Sequence, residues 1–176
     1  MSHPNLEIRP LAETDSLVAL TALLHRAYAR LGNMGLNYTA VDQSVEKTES
    51  QARDGACFVA VAGDKMVGTI SVRLPKPYPE CSWYGEPHVS VANRFAVAPE
   101  LQGQGIGSAL LLFAESWARE MSFTELALDT AEQATHLIAF YTRREYRWIC
   151  TLQWPGKVYR SVILSKTIGP APGAAR

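Results

Sequence analysis

Gly103, Gly105 and Gly107 stand at alternate positions in the stretch RFAVAPELQGQGIGSALL, between a short apolar run and a leucine-rich segment. Three glycines in five residues cost ordering entropy that a plain strand-to-helix turn does not require. The spacing therefore points to a backbone that must come close to a ligand. Gln102, Gly103, Gln104, Gly105, Ile106 and Gly107 read Q-x-x-G-x-G. Their successive N–H groups can face one anion, and a helix beginning near Ile106 would add the positive end of its dipole. A Cβ at Gly105 or Gly107 would hold that anion away. No side-chain charge is needed, in keeping with the absence of Lys from the segment. The chemistry this suits is the cradling of a pyrophosphate.

Two other phosphate patterns are tested by the same residues. A Walker A loop places Lys and then Ser or Thr directly after its last glycine, whereas Ser108 and Ala109 follow Gly107 here. The Rossmann fingerprint begins well at Gly103 and Gly105, with Asp129 where a ribose-binding acid would fall. Its third glycine comes one place early, since position 108 is Ser, and APELQ separates the strand from Gly103.

The elements that must position this loop follow from periodicity and breakers. LEIRP reads as a first strand. Thr14 or Asp15 can cap a helix on which Leu17, Leu20, Leu24, Ala27 and Leu31 recur, ended by Gly32 and Gly35. NYTAVDQ leads to a polar helix over SVEKTESQARD, closed by Gly55. ACFVAVA and MVGTISVR, joined by GDK, form a hairpin. LPKPYPECSWYGEPH is a proline-rich loop, and HVSVANRFAV a strand that runs into the glycine segment. The helix after it puts Leu110, Phe113, Ala114, Trp117 and Met121 on one face. FTELALD is a strand, and Thr130 with Gln133 forms a capping box for a helix bearing Ala134, Leu137, Ile138 and Tyr141. RWICTLQW and VYRSVILS, joined by PGK, close the chain as a hairpin, and the tail GPAPGAAR is expected to be disordered. The order of elements gives an α+β (mixed α/β) fold with parallel and antiparallel strands.

Composition narrows the function classes. With 176 residues, 47% of them hydrophobic, the chain suits one domain with a full core. Lys plus Arg and Asp plus Glu number 17 each, so the net charge is zero and no basic surplus points to nucleic acid or an anionic membrane. MSHPNLEIRP lacks the features of a signal peptide, and ALLLF is far shorter than the ~20 residues that cross a bilayer. Cys57, Cys81 and Cys150 are widely spaced, against a zinc site and in favour of reduced thiols in a cytoplasmic protein.

On these residues the stretch Arg94–Leu111 resembles the acetyl-CoA-binding motif of the GNAT superfamily of N-acetyltransferases. The order of elements over residues 6–166 resembles that family too, with 167–176 as a tail. The resemblance implies a central mixed sheet of about six to seven strands flanked by about four helices. It also implies acetyl-CoA, or CoA, as co-substrate, with no metal, and transfer of acetyl to a primary amine by direct transfer in a ternary complex. Residues implied to hold the cofactor are Phe95, Ala96 and Val97 by their backbone, then Gln102, Gly103, Gln104, Gly105, Ile106, Gly107 and Ser108. A small-molecule amine acceptor, with a protein amine as the other option, and a homodimer are the implied partners. The alternative is a non-catalytic acyl-CoA sensor of the same fold.

The resemblance also points to Tyr141 in AFYTRREYRW as the general acid that protonates the departing thiolate; without it, Tyr141 would be a core residue of an amphipathic helix. Glu145 takes the family's usual Gly and Tyr146 its usual Phe; Ala134 stands where an Asn is often found. The amine must lose a proton, and Asn93 and Arg94 are poor bases; a water chain, Glu86 or His88 are the candidates. Aromatic and acidic residues that could face a small cationic amine are Tyr28, Tyr38, Asp42, Gln43 and Glu46, with Tyr78, Trp83, Tyr84 and Glu86 in the proline-rich loop. That loop could instead present a polyproline segment to a partner.

Overall fold

The computed structural model describes residues 6–169; Met1–Asn5 and most of the tail expected to be disordered lie outside the described residues. The elements follow the order β1 (Leu6–Pro10), α1 (Leu17–Asn33), α2 (Val45–Ala52), β2 (Ala56–Ala62), β3 (Lys65–Arg73), β4 (Val89–Val97), α3 (Ile106–Glu120), β5 (Glu125–Ala131), α4 (Thr135–Thr142), β6 (Arg147–Leu152) and β7 (Ser161–Thr167). The strands form one mixed sheet of seven in the order β1-β2-β3-β4-β5-β7-β6. Two compact units divide the chain: residues up to Arg73 with Asn93–Ala114, and Leu74–Ala92 with the segment from Glu115 onward.

In the first unit β1, β2 and β3 form an antiparallel meander. The β2–β3 hairpin closes from Ala62 to Lys65 across a two-residue turn in which Gly63 has φ 63°. Leu20 of α1 packs with Cys57 and Val59 of β2, and Leu24 packs with Ala40 and Ala96. Phe58 meets Phe113 of α3 edge-on, with ring centroids 5.0 Å apart. Helix α3 sits close on the sheet: a Cβ added to Gly68 would stand 2.7 Å from Leu110 Cδ1. A buried polar seam joins α1 to α2, where Thr21 Oγ1 donates to Thr48 Oγ1 at 2.8 Å and Gln43 Nε2 donates to the same oxygen at 2.7 Å.

Several local expectations need correction. Ser16, not Thr14 or Asp15, caps α1, its side chain accepting from the Ala19 N–H; Asp15 is engaged by Arg9 at 2.7 Å instead. Thr130 lies buried within β5, and α4 begins after Ala134 with no side-chain cap, so the capping box does not form. Met121 falls beyond α3 and is exposed; the buried positions of that helix are Ile106, Leu110, Leu111, Ala114, Glu115 and Ala118. The closing hairpin has a longer connection than PGK, running from Gln153 to Arg160, because VYR does not extend β7.

In the second unit β4 pairs parallel with β5, Val89 opposite Glu125 and Val91 opposite Ala127. Strand β5 then pairs antiparallel with β7 from Glu125–Thr167 to Ala131–Ser161. Glu125 is the polar centre of this region. Arg147 grips it with both guanidinium nitrogens at 2.9 and 3.1 Å, and Ser165 and Thr167 each donate to it at 2.6 Å. Burial alone would raise its carboxyl, but the hydrogen bonds from Arg147, Ser165 and Thr167 outweigh this and hold it below the usual range. A carboxylate depressed by folding contributes stability that is present above its unfolded pKa and lost as pH falls through the folded one. Wild-type protein is therefore expected to lose thermal stability on acidification from about pH 5 to pH 3. Glu125→Gln should be about 2–3 kcal/mol less stable at neutral pH, with a shallower acid slope. Denaturant melts at four pH values check this; an unchanged slope would exclude Glu125 from the acid transition.

Candidate functional site

The glycine segment lies entirely within the first unit. Strand β4 ends at Val97, a 3₁₀ turn covers Pro99–Leu101, and α3 starts at Ile106. That turn is why the Rossmann spacing fails: the strand does not run directly into Gly103. Gly103 and Gly105 have φ 77° and 90°, conformations that L side chains rarely adopt. Nothing stands within 4 Å of where a Cβ would be at either residue, so the space over the loop is open to a ligand. Gly107 differs, being already inside α3. The first-turn N–H groups of a helix have no carbonyl ahead of them in the helix, and together with the loop they can bind an anion.

Side chains around the segment brace it. Gln102 Nε2 donates to Val97 O at 3.1 Å and Gln104 Nε2 to Glu100 O at 3.3 Å. Glu100 is tied to Arg26 of α1 at 3.1 Å. Ile106 is buried and Ser108 half-buried, so the apolar side of the segment is anchored while Gln102–Gly105 stay exposed. Of the β4 backbone groups expected to meet the thioester, Phe95 O accepts from Tyr28 Oη at 3.4 Å and Ala96 packs in the core. Phe95–Val97 and Gln102–Ser108 thus belong to one continuous structure, as their spacing requires.

Tyr141 lies in the second unit, buried on α4 with its ring 5.8 Å from that of Tyr146 and 5.3 Å from that of Phe140. Beneath it is a polar chain that the sequence did not announce. Tyr146 Oη donates to Glu115 Oε1 at 3.1 Å, and Lys166 Nζ meets Glu115 Oε2 at 2.9 Å. Burial pushes the Tyr146 phenol well above its usual range, and the Glu115 carboxylate adds to the effect. The signal was present: Glu115 falls four residues after Leu111 and three before Ala118, a lone carboxylate on the apolar face of α3. The departure at Glu145 also has a structural meaning. It sits at φ 70°, a conformation that glycine adopts without cost.

The expected acceptor-facing residues divide. Tyr28 and Tyr38 pair edge-on at 5.5 Å, and Asp42 and Glu46 are exposed. Gln43 is a correction: it is buried in the α1–α2 seam, with its backbone carbonyl 2.8 Å from His25 Nε2. Tyr84 is a second correction. It is fully buried, stacks on Trp154 at 5.9 Å and donates to Asp129 Oδ1 at 3.2 Å. Asp129 also accepts from Trp154 Nε1 at 3.1 Å and Ser161 Oγ at 2.9 Å, so it ties the proline-rich loop and the closing hairpin to β5. Tyr78 packs against both Tyr84 and Trp154. His88 and Glu86 are exposed, and the His88 ring meets Trp83 edge-on at 5.6 Å.

The model of the acetyltransferase (GNAT) family matches residues 20–146, and the chain belongs to that family. The S-(2-succino)cysteine N-acetyltransferase of Bacillus subtilis (strain 168) is 28% identical over 152 residues, covering 81% of this chain and 84% of that protein. An aminoglycoside N(6')-acetyltransferase type 1 of Stenotrophomonas maltophilia is 37% identical over 106 residues, covering 59% of this chain and 67% of that protein. A GNAT family acetyltransferase from Elizabethkingia anophelis, solved with acetyl-CoA bound, shares the fold with a TM-score of 0.67 at 18% identity, over 93% of this chain and 99% of that one. The protein is an acetyl-CoA-dependent acyltransferase that acetylates amines. No described helix is long and apolar enough to cross a membrane, and no metal-binding cluster occurs among the described residues.

Relief of the left-handed strain gives a first test. Glu145→Gly should stabilise the protein by about 0.5–1 kcal/mol, the αL penalty less the extra entropy that glycine loses. Equilibrium unfolding in urea measures it, and destabilisation would mean that the Glu145 side chain carries contacts worth more than the strain.

Proposed function

We propose that the protein transfers acetyl from acetyl-CoA to a primary amine of a small molecule, directly within a ternary complex. The observation that carries this reading is the open glycine loop at the head of α3, which a Cβ would fill. Backbone N–H groups of Gly103–Gly107 hold the CoA pyrophosphate, and Gln102 and Gln104 keep the loop in shape. The backbone of Phe95–Val97 orients the pantetheine arm and thioester. Bound there, acetyl-CoA supplies an activated acetyl group.

Tyr141 Oη gives its proton to the departing sulfur, so that thiolate does not have to leave as an anion. Glu115, Tyr146 and Lys166 hold the base of α4 from below. A covalent route through cysteine has little support: burial pushes the Cys81 thiol up to about 11 and also raises Cys150, while Cys57 is buried on β2. A thiol that stays protonated at neutral pH is a weak nucleophile, which favours direct attack by the amine. The two relatives named above act on a cysteine thioether and on an aminoglycoside, both small molecules, and this supports a small-molecule acceptor here.

Two variants test the two halves of the site. Gly107→Ala replaces a helical glycine with the best helix former, so it should leave stability unchanged or raise it by up to about 1 kcal/mol. Its methyl group should weaken acetyl-CoA binding by about tenfold, a loss of about 1.4 kcal/mol. Calorimetric titration with acetyl-CoA reads this; unchanged affinity removes Gly107 from the cradle. Tyr141→Phe should lower kcat by about 100-fold or more while acetyl-CoA affinity holds. If turnover on an amine panel survives that change, Tyr141 is a packing residue and another group protonates the sulfur.

A further inference from the structure

We propose that Arg94 anchors an anionic group of the amine acceptor, so that the substrates of this enzyme are amines that also carry a carboxylate or phosphonate. This rests on the acetyl-transfer reading above and names the acceptor class for the same site.

Arg94 has φ 48°, the one strand residue other than glycine with positive φ among the described residues. A non-glycine residue in this conformation costs on the order of 1 kcal/mol, and such strain persists where the surroundings impose it. The strand therefore breaks its alternation at Arg94, immediately before the Phe95–Val97 backbone. The break turns a guanidinium inward: the residue is only half-exposed, and its Nε is buried with no hydrogen-bond acceptor. Its Nη2 donates to Gln51 O at the C-terminal end of α2, at 3.2 Å.

The structure's other well-buried charges are matched: Glu115 by Lys166, and Glu125 by Arg147. Arg94 forms no ion pair with a carboxylate among the described residues. Burial pulls its guanidinium below the usual range and Arg73 adds to this, against the weaker opposing influence of Tyr28, Cys57 and the carboxylate of Asp54. A largely desolvated cation beside a second cation is costly unless an anion completes it. The planar fork of a guanidinium fits carboxylate and phosphonate oxygens geometrically.

Neighbouring atoms fit the other half of such a substrate. Gln51 Oε1 and Asn93 Oδ1 are buried acceptors with no donor, one on the α2 residue that Arg94 contacts and one next to Arg94 in sequence. An amine N–H can serve them. Tyr28, bonded to Phe95 O, and Tyr38 beside it supply an aromatic wall. Together these groups suit a zwitterion, such as an α-amino acid or an aminoalkylphosphonic acid, and disfavour a polycation.

The test compares paired acceptors: L-amino acids and aminoalkylphosphonic acids, the carboxamides of the amino acids, and a polyamine, each followed by release of the CoA thiol. Wild-type enzyme should use at least one anionic amine with kcat/KM about tenfold or more above that of its neutral partner. Arg94→Gln should erase that preference through a 10- to 100-fold rise in KM, roughly the loss of one charged hydrogen bond. Its acetyl-CoA affinity should stay within about twofold, and Arg94→Lys should restore part of the preference. The wild-type comparison stands whether or not the variants fold, and circular dichroism shows whether they do. The proposal is overturned if carboxamides or the polyamine react as well as the acids, or if Arg94→Gln keeps the preference. It is also overturned if the variant weakens acetyl-CoA to the same degree, since the anion is then a CoA phosphate. Turnover of cationic amines alone would overturn the acceptor class but leave acetyl transfer standing. Silence on every amine, with acetyl-CoA still bound, would bring down both.

Discussion

Strand β4 is the constraint on which the rest depends. It is a central strand that pairs with β5 over Val89–Val91, and along that stretch its side chains must be covered on both faces. Val89, Ser90, Val91 and Ala92 meet that demand by complete burial, with Ser90 Oγ turned onto Glu125 O at 3.1 Å. Further along, Asn93, Arg94, Phe95 and Val97 are only half-covered, although they belong to the same strand. The strand thus begins as pure core and ends as a surface that chemistry can use. It also delivers the chain to the Pro99–Leu101 turn and the glycine loop, so the loop inherits its position from a rigid element.

Buried charge is handled in two ways. Glu115, Glu125 and Asp129 each collect donors from elements distant in sequence, and such satisfied networks fix one packing arrangement because losing a partner leaves a desolvated carboxylate behind. Glu125 thereby fastens β5 to β6 and β7. Asp129 fastens β5 to the proline-rich loop and the closing connection, which is why a segment with so many prolines is held in one place. Arg94 is the exception, a buried cation whose surroundings do not complete it. The contrast between a finished network and an unfinished one separates groups that hold the fold from groups that await a ligand.

The same distinction bears on the reaction. Cys57 and Cys81 are buried and Cys150 is half-buried, and burial raises the Cys81 and Cys150 thiols, which makes them poor nucleophiles at neutral pH. Tyr141 is also buried, on α4, against Tyr146, whose phenol bonds Glu115 and through it Lys166. A zero net charge gives such an enzyme no long-range pull on polyanions. Any selectivity for charge has to come from individual buried groups.

Much of this was written in local sequence. The strands, the β2–β3 hairpin, the start of α3 at Ile106 and the glycine loop follow from period, breakers and spacing, which act over a few residues and are visible without the fold. Caps and connections were less legible: Ser16 and Thr130 differ from expectation because several Ser, Thr and Asp residues near a helix start are chemically able to cap, and only the chain path selects one. Gln43 and Tyr84 look like surface or acceptor-facing residues until packing buries them. Glu115 with Lys166 and Asp129 with Trp154 lie 51 and 25 residues apart, so only the folded chain could pair them. The sequence by itself determined which elements form and where the backbone can approach an anion, because both depend on neighbouring residues. Tertiary structure alone decided which polar groups are satisfied and which, like Arg94 Nε, are left without an acceptor, because satisfaction depends on what distant segments bring to the same place.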